Sequence, residues 1–145
     1  MQSVLQPILE SELTFPVLEC FHILGFGIGV GAIALVDFRI LGLAFPAQKV
    51  SALAAELSKW TILGLVLVFL SAGGLFYSDP DLYYLNPSFQ LKMTLLLAAL
   101  IFHYTVRQPR AFNDDSAKWP AVVSLLLWSG IVFCGIFIAF TGEAQ

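Results

Sequence analysis

Hydrophobic residues run along this chain in four long blocks, at 17–43, 60–77, 89–106 and 120–140. Each is long enough to cross roughly 30 Å of hydrocarbon as a helix. None shows the polar–apolar alternation of a barrel strand. The second and fourth blocks contain no charged residue at all. The segments between them are too short for a separate domain. The pattern therefore predicts one all-α unit over residues 1–145, a polytopic membrane four-helix bundle.

Polar and helix-breaking residues punctuate the blocks. Pro16 suits the first position of the first span, and Pro46 is expected to end it. Residues 48–59 are amphipathic, with Val50, Leu53, Ala54 and Leu57 on one face. That segment is expected to lie in the interface before Trp60 opens the second span. Asn86-Pro87 reads as an N-cap followed by proline at the first helical position. The third helix is expected to stop before Pro109, residues 113–116 to form a polar turn, and Trp119-Pro120 to open the fourth helix. Residues 1–15 carry Pro7, Glu10 and Glu12 and lack a basic start. They read as a short interfacial turn, not a cleavable signal.

Composition supports the membrane assignment. The chain is 59% hydrophobic and 12% charged, which excludes an ordinary soluble domain and a disordered one. Charge adds an orientation. Arg39, Lys49, Lys59, Arg107, Arg110 and Lys118 flank the first and third connections, whereas Lys92 alone lies near the opposite side. Basic loops stay cytoplasmic, so both termini are expected outside, in the inner membrane. Tyr77, Tyr83 and Tyr84 fit an outer aromatic belt. Cys20 and Cys134 fall at unequal depths and read as buried free thiols.

The chemistry concentrates in segment 19–39. Glu19 and His22 lie near one end, Asp37 and Arg39 near the other, and Gly25, Gly27, Gly29 and Gly31 between them. Ionisable groups at membrane depth mark a site or a structural pair. Small residues let a helix, or a flat cofactor, approach the backbone. Glu19 and Asp37 are about five turns apart and share a face, and Lys92 and His103 nearly share one on the third helix. Opposing these faces places Glu19 near Lys92 at an outer level. At an inner level, about 27 Å beyond Glu19 at 1.5 Å per residue, it places Asp37 near His103 and Arg107.

A histidine on an inner helix face is a standard axial ligand, so haem b is one expectation. His22 would be one ligand, with Gly25 and Gly29 leaving room for the porphyrin and Glu19 and Lys92 tuning the site. The second ligand would be Met93 or His22 of another copy, and His103 would similarly need its own copy. The two histidines lie too far apart in depth to share one iron. Glu19-x-x-His22 has the spacing of dimetal bundles, but those need two such pairs. A quinone head group held by His22 and Glu19, with Phe15, Phe21 and Phe26 as walls, is a further candidate. The bland alternative is a structural accessory subunit whose ion pairs fix helix register and whose glycine face docks a membrane partner. A homo-oligomer or a membrane complex is expected in either case. No nucleophile–base pair, phosphate loop or nucleic-acid-binding patch is visible.

Three motifs carry a resemblance. Phe15-Pro-Val-Leu-Glu-Cys-Phe-His-Ile-Leu-Gly25, Val36-Asp-Phe-Arg-Ile-Leu-Gly42 and Asn86-Pro-Ser-Phe-Gln-Leu-Lys92 resemble an uncharacterised family of small bacterial four-helix inner-membrane proteins. The resemblance implies that Glu19, His22, Asp37, Arg39 and Lys92 form a recurring pattern, and it brings no activity. A looser architectural similarity, to cytochrome b-type haem proteins and copper-resistance membrane domains, is at the level of fold.

Overall fold

The computed structural model describes residues 13–115 and 117–142. Four long helices, each apolar enough to span a bilayer, make up most of it. They are α1 (Thr14–Leu41), α2 (Val50–Ser78), α4 (Pro87–Phe112) and α5 (Trp119–Gly142), with a short α3 (Pro80–Tyr84) between α2 and α4. The chain runs up and down. Helices α1 and α2 form one hairpin, α4 and α5 form another, and α1 also packs against α5. One end of the bundle carries the start of α1 and the end of α5, here the terminal end. The other carries the two loops around residues 42–49 and 113–118, here the loop end. Outward faces are apolar, with Ile23, Leu24, Leu70, Leu97, Leu126 and Phe133 all exposed. They suit contact with a lipid bilayer, where the backbone satisfies its own hydrogen bonds.

Local signals explain most boundaries. Helix α1 ends at Gly42, whose φ of 82° is left-handed and whose N–H bonds back to the Arg39 and Phe38 carbonyls. Glycine takes this conformation without a Cβ penalty, so the span stops before Pro46. The Asn86 side chain accepts from the Ser88 and Phe89 N–H groups, with Pro87 in the first turn. Its amide also donates to the Ile138 carbonyl at 3.1 Å, tying α4 to α5.

Two boundaries differ from expectation. Residues 50–59 do not lie apart in the interface but are the first turns of α2. Their apolar face, Leu53 and Ala54, is buried against Val36 and Ala111, so tertiary packing continues the helix. The third span runs past Pro109 to Phe112. Proline removes one backbone donor and crowds the carbonyl four residues back. Here a π-helical turn at His103–Arg107 accommodates it, in line with the use of wide turns as helix bulges. The expected turn over residues 1–15 lies largely outside the described residues. Both cysteines are free thiols, but only Cys134 is buried; Cys20 faces outward.

The middle of the bundle is dry. Ile33, Leu65, Leu96, Ala99, Trp128 and Ile131 form its core. Beneath it, the hairpin α1–α2 closes through glycine. A Cβ on Gly64 would run into the Gly29 backbone, and one on Gly25 would meet Leu67 and the Gly64 carbonyl. Helix α2 thus occupies the space beside Gly25 and Gly29, where a flat cofactor was expected.

Candidate functional site

The inner tier is a closed structural lock. Arg107 Nε lies 2.7 Å from Asp37 Oδ1, and its terminal nitrogen donates to the Ile33 carbonyl at 2.7 Å. Asp37 is 0% and Arg107 3% exposed. The π-helical turn carries Arg107 at its end and His103 at its start. His103 is also buried and stacks edge-on against Tyr104. The Ser124 hydroxyl faces the Asp37 carboxylate but stops short of a bonding geometry, and His103 Nδ1 has no partner among the described residues. Arg39, at the same end, does not join this tier. It holds its own loop through the Gln48 carbonyl at 2.6 Å.

The loop end carries a second clasp. Asp114, with φ of 52°, accepts from the Ser51 N–H at 2.8 Å and the Ser51 hydroxyl at 2.7 Å. A carboxylate from one loop thereby caps the first turn of α2, whose own N-cap, Lys49, makes no side-chain bond. The Ser51 backbone and hydroxyl bonds hold the Asp114 carboxyl below its usual 3.8.

The terminal end is open by contrast. A cleft of about 750 Å³ separates the two hairpins there. Apolar walls come from Phe15, Phe26, Phe76 and Phe89, with Ile131 and Ile136 behind. Phe76, Tyr83 and Phe89 pack their rings together at centroid distances of 5.4–6.3 Å. Four polar side chains line the same space, namely Glu19, His22, Tyr83 and Lys92. Such a mixture, mostly aromatic with a few convergent polar groups, is the usual make-up of a small-molecule site.

Each polar group reaches the cleft from a different support. Lys92 projects from α4 toward Gly135 on α5, where a Cβ would sit 3.3 Å from its Nζ. Glu19 and Lys92 face the same cleft but form no ion pair within 4 Å among the described residues. Tyr83 belongs to α3. Burial first, then Glu19 and Asp79, push its phenol above the usual value, so it stays protonated as a donor. His22 Nδ1 lies 3.1 Å from the Ser71 hydroxyl on α2. That hydroxyl is itself 2.7 Å from the Leu67 carbonyl.

The predicted residues thus divide. Glu19, His22 and Lys92 come together in the cleft. Gly25 and Gly29 pack against α2, while Gly27, with open space at its Cβ position, lines the cleft instead. Met93 is 44% exposed and points away from the cleft, so it does not accompany His22. His103 sits outside the cleft, roughly 12 Å deeper than His22 at 1.5 Å per residue from the starts of α4 and α1. Phe15 and Phe26 line the cleft, whereas Phe21 is exposed on the outer face. Among the described residues, no three His, Cys, Asp or Glu side chains gather as a metal cluster. Ser71 and Gly135 belong to the site and were not read as site residues from the sequence, and Tyr83, read there as part of an aromatic belt, lines it as well.

Comparison with known proteins places the chain in a family without adding a chemistry. Residues 14–143 match the family model described as Family of unknown function (DUF6644), and the chain belongs to that family. No curated protein and no solved structure matches it.

Proposed function

We propose that the protein is a multi-pass inner-membrane subunit that binds the head group of a quinone-type amphiphile in the terminal-end cleft. One observation carries this reading: Lys92, His22, Glu19 and Tyr83 converge within an aromatic-walled space of about 750 Å³ between two hairpins. Aromatic walls hold a flat ring, Lys92 and Tyr83 donate to ring oxygens, and the apolar flanks of α1 and α5 suit a hydrocarbon tail. An ammonium without a carboxylate partner at this depth is costly. A bound oxygen acceptor relieves that cost. The basic residues at the loop end support a cytoplasmic side for it and an outer-leaflet side for the cleft.

Titrating the purified protein in detergent with a short-chain benzoquinone tests the reading. Trp128 is the reporter, because it packs edge-on against the wall residue Phe26 at 6.2 Å. Saturable quenching, lost in Lys92→Met and competed by an excess of a second quinone, is expected. Quenching that rises linearly and is unchanged in Lys92→Met would reject it. Fusing a reporter active only in the cytoplasm after Phe112 and after Gly142 tests the orientation, with signal expected from the first alone.

A second reading, haem b, is favoured by one contact. The Ser71 hydroxyl orients His22 through Nδ1, as the outer partner of a ligating histidine does. Each chain then offers one axial ligand in the cleft, and the chemistry haem would supply is one-electron transfer. A reduced-minus-oxidised visible spectrum, with paired bands lost in His22→Ala, is the result this reading requires.

A further inference from the structure

We infer that the cleft prefers the reduced, hydroxyl-bearing form of its ring ligand, because Ser71 fixes His22 as a hydrogen-bond acceptor there. This rests on the quinone reading and adds to it the redox form that is bound.

The argument begins with one proton. A serine hydroxyl has a single hydrogen and two lone pairs. The Ser71 oxygen lies 2.7 Å from the Leu67 carbonyl, 3.1 Å from the Val68 carbonyl and 3.1 Å from His22 Nδ1. If Ser71 donated to His22, two oxygens would face each other at 2.7 Å with no hydrogen between them. The hydroxyl therefore donates back to its own helix, the common arrangement for serine inside a helix. His22 Nδ1–H donates to Ser71.

A neutral imidazole carries one N–H, so its other nitrogen is an acceptor. Nε2 has no protein partner among the described residues, and His22 lines the cleft. What meets it must donate. The Glu19 carboxylate, when ionised, is likewise acceptor-only. A quinone carbonyl opposite Nε2 sets lone pair against lone pair, whereas a hydroquinone hydroxyl donates its hydrogen to Nε2. Lys92 is indifferent, since both forms carry an oxygen that accepts from it.

Three probes sharing ring and tail test this anaerobically in the full-length protein: a short-chain benzoquinone, its hydroquinone, and the dimethyl ether of that hydroquinone. The hydroquinone is expected to bind about tenfold more tightly than either other probe, the value of one well-made hydrogen bond. In His22→Phe, which keeps a ring of similar shape, the three affinities should converge. Nitrogen-15 NMR of labelled histidine, with His22→Phe assigning the signal, should place the proton on Nδ1. If no probe binds, the quinone reading itself fails. If the quinone binds as tightly as the hydroquinone, or the proton sits on Nε2, that reading stands and the preference is overturned.

Discussion

Replacing Arg107 by methionine removes the cation of the inner tier while keeping most of its length. Asp37, 0% exposed, then loses the one side-chain bond it makes among the described residues. The Ile33 carbonyl loses a 2.7 Å bond from the same guanidinium. Breaking one side of a buried pair typically costs about 3–5 kcal/mol. Two hydrogen bonds to a charged group, at roughly 1.5–3 kcal/mol each, give a similar total. Against a total stability of about 5–15 kcal/mol, that is a large fraction. The double variant Asp37→Leu/Arg107→Met removes both charges and should recover most of the loss, since apolar replacement of a buried pair is often neutral or better. Unfolding in mixed micelles, followed by circular dichroism, measures each variant and the coupling between them. An Arg107→Met variant within about 0.5 kcal/mol of the parent, the usual range for an unremarkable surface change, would refute the lock. So would a double variant no better than the single.

Three further outcomes are expected. Gly64→Ala should open the α1–α2 hairpin, because its Cβ meets the Gly29 backbone, at a cost of about 1–3 kcal/mol or more. Gly31→Ala, with open space at the same position, should be neutral or stabilising by about 0.5–1 kcal/mol, and the same micelle titration compares them. Asn86→Ala removes both the α4 cap and the tether to Ile138 and should cost about 0.5–2 kcal/mol for the cap alone. The Asp114 clasp is pH-dependent. Its carboxyl titrates lower in the folded than in the unfolded protein, so its contribution is fully present above about pH 4. It is lost as pH falls through the folded value. Melting temperatures at pH 6 and pH 3 should therefore differ more in the parent than in Asp114→Asn, and equal differences would remove Asp114 from the clasp.

Much of this was legible in the residues because membrane helices obey few rules. Four apolar blocks of span length admit little but a bundle. The Asp37–Arg107 contact followed from counting turns along α1 and the third span, since buried charges seek partners. What counting missed has physical causes. A π-helical turn changes azimuth, and nothing in a proline signals whether a helix will stop at it or widen before it. The glycines were read as space for a cofactor or a helix, and composition does not choose between these. Had the helix been chosen, the register would have followed. In an antiparallel pair, setting Gly29 against Gly64 also sets Gly25 against Val68 and His22 against Ser71. The serine that orients the histidine was therefore recoverable from one glycine contact.

The same register bears on why the two ends of the bundle differ. At the loop end, the Asp37–Arg107 pair and the Asp114–Ser51 clasp hold both hairpins together. Close glycine packing binds α1 to α2 along their middle. Toward the terminal end, Phe15, Phe26, Phe76 and Phe89 line the space between the hairpins. The Asn86–Ile138 bond there ties α4 to α5, and it lies within one hairpin, not between the two. The opening is walled by these aromatic rings and closed below by Ile33, Trp128 and Ile131. Glu19 lines this opening beside Lys92, so Glu19→Gln, which puts an amide donor where the carboxylate only accepts, should narrow the preference for hydroquinone over quinone.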